Sequence, residues 1–284
     1  MPSYFRPNTL ICLAATLVCM ATGARAQSTQ STQSAQPLWE AGAFIGAVGT
    51  PAYPASSDRT GRVLALPYVI YRGDVLRIDR SNVGARLVHT DDFEVDVGFA
   101  ASLPASSRDV AVRNGMDDLG TLFEFGPRVR GTLARLSPGS RIRYDVPLRT
   151  VLEVNNGIRI QGFAVEPELT LEVRDVYDGW RLSTGVSVVI GDSRLQNYFY
   201  GVPAFVATAQ RPAFEAQAGL LATRLSISTA KAITPDVRVF SFVRYENYDG
   251  AANRASPLYV QTSGTAAGVG LTWTFARSSD RARD

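Results

Sequence analysis

From Arg141 to Glu153 the chain alternates almost without a break. Ile142, Tyr144, Val146, Leu148, Thr150 and Leu152 fall on one side, and Arg141, Arg143, Asp145, Arg149 and Glu153 on the other. Successive side chains of a strand point to opposite faces, so this run makes a ribbon with one oily and one charged face. Its length is the constraint. Soluble strands run to about 5 to 6 residues, whereas a tilted strand needs roughly 9 to 11 to cross a bilayer. The pattern recurs with Phe93, Val95, Val97 and Phe99 against Glu94 and Asp96, and with Phe123, Phe125, Val129 and Leu133 against Glu124, Arg128, Arg130 and Thr132. It recurs again with Phe163, Val165, Leu169, Leu171 and Val173 against Glu166, Glu168, Thr170 and Glu172. Helical periodicity is weak throughout.

Period-two segments predict strands near 39–48, 62–71, 73–79, 82–89, 92–102, 119–134, 140–154, 158–173, 179–190, 213–228, 236–246 and 264–275. The expected fold is all-β, an antiparallel transmembrane β-barrel of about 12 strands, between roughly 10 and 14. Connection lengths test it, because such barrels gather short turns at one end and long loops at the other. The longest connections, near 49–61, 103–118, 191–212 and 247–263, are the first, fifth, ninth and eleventh, so all open towards one end. A soluble β-sandwich also alternates, with the opposite face in water. Strand length, aromatic placement and loop parity favour the barrel.

The amino terminus follows other rules. Arg6, an apolar run from Leu10 to Met20 and a small-x-small site at Ala24-Arg25-Ala26 predict a signal peptide over 1–26, cut between Ala26 and Gln27 and exported by the general secretory route. A lipoprotein signal using Cys19 is the rival, disfavoured by Val18 before it. Residues 27–37 read QSTQSTQSAQP, too polar to bury a core, and predict a flexible leader. The barrel is assigned to 38–275 and a polar tail to 276–284. Beyond the signal, no stretch reaches the roughly 18 apolar residues of a spanning helix.

Composition narrows the chemistry. Both cysteines, Cys12 and Cys19, lie in the signal, so the mature chain forms no disulfide or thiolate metal site. Losing Arg6 and Arg25 with the signal leaves 27 basic against 26 acidic residues, which gives no ground for a nucleic-acid partner. His89 is the sole histidine and Lys231 the sole lysine, so a multi-histidine metal centre is excluded and a catalytic triad would have to use His89. No enzyme and no cofactor is expected.

The last strand sets Thr265, Ala267, Val269, Leu271, Trp273 and Phe275 on one face. Val269, Leu271, Trp273 and Phe275 resemble the C-terminal signal by which outer-membrane proteins present themselves to the barrel assembly machinery. Other landmarks are Leu66-Pro67-Tyr68, Tyr71-Arg72-Gly73-Asp74, Asp117-Asp118-Leu119-Gly120 and Glu124-Phe125-Gly126-Pro127. Further on come Tyr198-Phe199-Tyr200-Gly201-Val202, Ala213 to Gly219, Arg244-Tyr245, Asp249-Gly250-Ala251, Ser256-Pro257-Leu258 and Gly270 to Phe275. In this order, across nearly the whole mature chain, they resemble the MltA-interacting protein/OmpV family of outer-membrane proteins. The resemblance implies a barrel in outer-membrane lipid and, for one branch, a scaffold joining a murein synthase to a lytic transglycosylase.

If the apolar faces meet lipid, Glu124, Arg128, Arg130, Arg141, Arg143, Asp145, Arg149, Glu153, Glu166, Glu168 and Glu172 point into the lumen as a charge network. One reading is an anion-favouring channel for small solutes with an arginine-rich lumen. The other, preferred here, is that opposite charges on neighbouring strands pair and plug a narrow barrel. Glu166 and Glu168 flank Pro167 at the roughly 6.5–7 Å separation of an inverting glycosidase, but nearby arginines suit them better as pairing groups. His89 with Asp91 and Asp92 reads as a solvated turn, and Asp117-Asp118 as too few oxygens for calcium. Tyr198, Phe199, Tyr200 and Phe205 form either a binding surface, a fold over the barrel mouth or an aromatic girdle. The expected function is a non-enzymatic envelope scaffold, with the solute channel as alternative.

Overall fold

The computed structural model describes residues 36–72, 76–78, 83–89, 93–102, 104–155 and 157–282. The predicted signal, its Ala26–Gln27 junction, most of the leader, and Asp91 and Asp92 lie outside the described residues. In chain order the strands are β1 Trp39–Pro51, β2 Arg59–Arg72, β3 Leu76–Ile78, β4 Val83–His89, β5 Phe93–Ser102, β6 Thr121–Ser137 and β7 Ser140–Val154. They continue as β8 Ile158–Val165, β9 Glu168–Val173, β10 Arg181–Gly191, β11 Gly219–Ala232, β12 Val237–Asn247 and β13 Ser263–Arg277, with one helix, α1, at Ser193–Tyr200.

Neighbouring strands pair antiparallel in a sequence that returns to its start. From β1 it passes through β2, β3, β4, β5 and β6 to β7. Both β8 and β9 link β7 to β10. From there β11, β12 and β13 lead back to β1. The fold is an antiparallel β-barrel of the transmembrane type. β8 and β9 are halves of one wall segment, interrupted at Glu166-Pro167 because proline has no N–H to give the ladder. Counted together they bring the thirteen strands of the sheet to twelve among the described residues.

The faces are inside out relative to a soluble sandwich. Val63, Val69, Phe99, Val243, Val269, Trp273 and Phe275 are exposed, whereas Asp96, Arg128, Glu153 and Glu246 are buried. An outer wall of large apolar side chains is stable only against lipid, which the alternation requires once the charged face has turned inward. Glycines fit the seam. A Cβ on Gly42 of β1 would lie 2.5 Å from the Tyr68 ring, so glycine lets that aromatic side chain lie flat against the wall, its phenol 2.5 Å from the Thr274 hydroxyl of β13.

Two predicted segments end differently. The strand expected over 213–228 starts only at Gly219. The amides before it are drawn away: Phe214 donates to the Val202 carbonyl at 3.0 Å and Ala216 to the Asn197 side chain at 2.7 Å. Helix α1 stands where no helical pattern was read. Asp192 caps it by accepting from the Leu195 amide at 2.9 Å, and Gly162 of β8, at φ 122°, leaves room for that carboxylate. The C-terminal segment continues the sheet: β13 runs to Arg277, and the Leu38 amide donates to the Asp280 carbonyl at 2.8 Å.

Candidate functional site

The inner wall of the barrel carries networks of paired charges, and the loops gather over one end of it. Strands β5 to β7 carry its first part. Arg128 grips Asp96 with two hydrogen bonds of 2.8 and 2.6 Å and reaches Asp145 at 3.6 Å. Arg130 meets Asp96 at 3.1 Å and Glu94 at 3.2 Å. A second belt crosses from β6 to β12. Arg149 bridges Glu124 at 3.1 Å and Glu166 at 3.0 Å, and Arg224 lies 2.7 Å from both Glu166 and Glu246. Arg244 closes the belt on Glu246 at 3.1 Å. Planar guanidinium groups suit such bridging, since their forked donors can serve two carboxylates at once.

The remaining predicted wall residues divide between the two ends. Towards the short turns, Arg141 and Arg143 share Glu172 at 2.7 and 3.2 Å, with side chains still a quarter to a third exposed. Towards the loops, Glu153 is buried and accepts from the Gly120 amide at 3.0 Å, the Gln161 side chain at 2.6 Å and the Tyr198 hydroxyl at 3.1 Å. Glu153 therefore fastens the loops to the wall. Glu168 has no ion pair among the described residues; its carboxylate lies against Gly185 of β10. Glu166 is held by Arg149 and Arg224 rather than by the arginines of β6 or the start of β7. Every carboxylate of the second belt is engaged by a guanidinium, which leaves none free for general acid or base work.

Arg224, Arg244, Glu246, Glu94 and Asp96 belong to the ion-pair network of the inner wall and were left out of the network read from the sequence. Their signal was present: each occupies the polar phase of its own alternating strand. Single charges among serines and threonines in β11 drew no attention, because their partners lie on strands distant in sequence.

Four loops close the mouth. The molecule's main buried apolar cluster is here, joining Tyr53, Val110, Leu119, Tyr200, Val202, Tyr248 and Leu258 from the connections after β1, β5, β10 and β12. α1 turns inward, and Leu195 packs on Leu122, Val151 and Ala164 of the wall. Polar side chains lock the loops together. Tyr53 donates to the Leu258 carbonyl at 2.7 Å, Ser256 to the Tyr200 carbonyl at 2.7 Å and Asn253 to Gln196 at 3.1 Å. Arg113, 4% exposed, donates to the Phe199 carbonyl at 3.2 Å and lies over the Tyr53 ring at 5.7 Å. Burial pushes the Tyr53 phenol up to about 12, raises Tyr200 and Tyr248 as well, and lowers Arg113.

The aromatic loop cluster thus folds over the mouth through Tyr198, Phe199 and Tyr200, while Phe205 stands 87% exposed. Asp118 accepts from the Ser107 amide at 2.6 Å and holds its loop. His89 is the last residue of β4, opposite Glu94. No group of acids, histidines and cysteines that would hold a metal ion occurs among the described residues.

No curated protein matches the chain in sequence. Among solved structures it is similar to the translocator domain of the autotransporter NalP from Neisseria meningitidis, at 11% identity and TM-score 0.45, over 86% of this chain and 90% of that one. It is also similar to Salmonella typhi OmpF in complex with daunomycin, at 12% identity and TM-score 0.35, over 84% and 97%. Outer membrane phospholipase A from Escherichia coli matches at 10% identity and TM-score 0.35, over 82% and 92%. The sequence profile described as MltA-interacting protein MipA matches residues 43–275, and the chain accordingly belongs to the MltA-interacting protein MipA family.

Proposed function

We propose that this protein is a non-enzymatic outer-membrane scaffold of the cell envelope that brings murein-processing enzymes together. The observation that carries the reading is the occupied interior: guanidinium–carboxylate belts span the wall and four interlocked loops cap one mouth. A barrel built this way holds a place in the membrane and offers rims and loops to partners. The family's description names MltA as an interaction partner, and the resemblance read from the sequence implies a lytic transglycosylase and a murein synthase as the proteins to seek. With long loops facing outward, the periplasmic rim carries the short turns, the start of β1 and the end of β13. Export by the general secretory route and insertion by the barrel assembly machinery belong to the same proposal.

The test is a pull-down of the mature protein from detergent-solubilised envelopes, probed for murein synthases and lytic transglycosylases. Specific recovery of either supports the scaffold. Their consistent absence rejects it and leaves only the barrel. A small-solute channel is the second reading, favoured by the partly exposed Arg141 and Arg143 near the short-turn mouth. Steady anion-selective openings that change on Arg143→Glu would establish it.

A further inference from the structure

Charge pairing runs short at the short-turn mouth under β7, β9 and β10. Glu172 of β9 lies opposite Arg141 of β7 and Ser183 of β10. It already serves two guanidinium groups, Arg141 at 2.7 Å and Arg143 at 3.2 Å. The next rung towards the turn adds two arginines and no acid. Val173 pairs with Leu182, so Arg174 and Arg181 take the following positions, opposite one another at the foot of the β9–β10 hairpin. They keep the alternating phase of Glu172 and Ser183. Both are exposed, and neither has a carboxylate partner among the described residues.

The neighbouring acids do not restore the balance. Asp178 pairs with Lys231, and Asp175 accepts from the Gly179 amide at 2.8 Å. Asp145 and Glu168 lie opposite each other beyond Arg143, two rungs deeper, and Asp145 leans towards Arg128 at 3.6 Å. Four arginines thus surround one carboxylate, and like charges set opposite each other in a ladder are destabilising. The hairpin beside them presents an apolar tip. Asp175 and Asp178 hold left-handed backbone, φ 55° and 47°, which sets Val176 and Tyr177 at the turn, 51% and 78% exposed. Tyrosine and arginine are residues enriched in protein interfaces.

We propose that Arg141, Arg143, Arg174 and Arg181, with Tyr177 at their lip, dock an extended acidic segment of a periplasmic protein. Glu172 shows the chemistry the cluster accepts, since guanidinium forks match carboxylates. Neighbouring strands lie roughly 4.8 Å apart, so the cluster is about 10 Å wide from β7 to β10. Acidic side chains on alternate residues of an extended peptide repeat at about 6.6 Å and bring two carboxylates to that width. The chain's own ends supply no such segment: 27–37 has no acid, and 276–284 has three arginines to two aspartates. Lipid head groups fit poorly, because the cluster keeps the inner phase while Leu169 and Leu171 face the lipid. The inference rests on the scaffold reading and adds to it the chemistry of the contact.

Two measurements on the mature protein in detergent test it. Fluorophore-labelled hexaglutamate should bind, hexaglutamine should not, and the affinity should fall as ionic strength rises. Arg174→Glu/Arg181→Glu should weaken hexaglutamate binding roughly tenfold or more. Arg194→Glu/Arg254→Glu, the same change of charge at exposed positions of the loop end, should leave it unaltered. Equal weakening by both variants, binding of hexaglutamine, or displacement by an equimolar amount of inorganic phosphate overturns the docking site. If the reversed pair fails to insert, Arg174→Gln/Arg181→Gln replaces it and should weaken binding several-fold. Repeating the envelope pull-down with the rim variant separates the two readings. Loss of the recovered enzymes supports the site, whereas undiminished recovery keeps the scaffold and overturns the site. No enzyme recovered with the wild type, while hexaglutamate still binds at the rim, rejects the scaffold and supports the site alone.

Discussion

Arg224 sits between Glu166 and Glu246, 2.7 Å from each, and its loss would leave two acids of the inner wall short of a partner. Removing one member of a buried ion pair costs about 3 to 5 kcal/mol, because the remaining charge stays desolvated. Arg224→Met is expected to destabilise the folded barrel by about 3 kcal/mol, read from urea unfolding in lipid vesicles by the loss of heat-modifiable mobility. A shift below about 1 kcal/mol would mean the belt contributes no more than a surface pair. At this scale the sequence was half legible. Arg128, Asp145, Arg149 and Glu166 were identifiable because their strands alternate strongly. Which acid each arginine meets was not, since barrel stagger sets the partner and places Glu166 nearer Arg224 than sequence distance suggests.

Among the elements, β13 makes the clearest claim. Val269, Leu271, Trp273 and Phe275 point outward, 60%, 38%, 54% and 61% exposed, and the strand pairs with both β12 and β1. An acid on the lipid face near mid-membrane costs on the order of 2 kcal/mol or more. Leu271→Asp with Phe275→Asp should therefore abolish membrane insertion, measured as detergent-extractable, heat-modifiable protein in envelopes; wild-type yield would deny β13 its closing role. Removing residues 278–284 should preserve insertion, because β13 ends at Arg277. The loop cap supports a pH prediction. With the Tyr53 phenol raised from its ordinary 10.0 to about 12 by burial, its contribution is whole below pH 10.0 and lost as pH rises through about 12. Near-UV circular dichroism should show the cap loosening in that window while far-UV signal from the barrel persists, and Tyr53→Phe should shift the transition upward. Simultaneous loss of both signals would mean the cap is no separate unit. Strands were legible because alternation is local; α1 was not, because the helical spacing of Leu195, Tyr198 and Phe199 spans barely two turns, too short to stand out within a long loop.

For the whole molecule, the reversal of inside and outside governs everything else. Most large apolar side chains of the wall face outward, paired charges face inward, and the main apolar packing that a soluble protein keeps at its centre is moved to the loops over one mouth. Trp39, Trp180 and Trp273, all the tryptophans of the chain, stand near the short-turn end, where amphipathic rings suit the membrane interface. Lys231 lies over Trp180 at 5.9 Å and pairs with Asp178 on the same rim. Loop parity foretold which connections would gather at one end, but not that they would pack together there, because the Tyr53–Leu258 and Ser256–Tyr200 contacts join segments that no pattern relates. The proposed scaffold, unlike a channel, requires that these paired charges and packed loops leave no conducting path, and planar-bilayer recording of the purified mature protein tests this most directly. The bilayer should stay silent at moderate voltage while the protein is demonstrably inserted; steady anion-selective openings from the unmodified chain would contradict the closed interior.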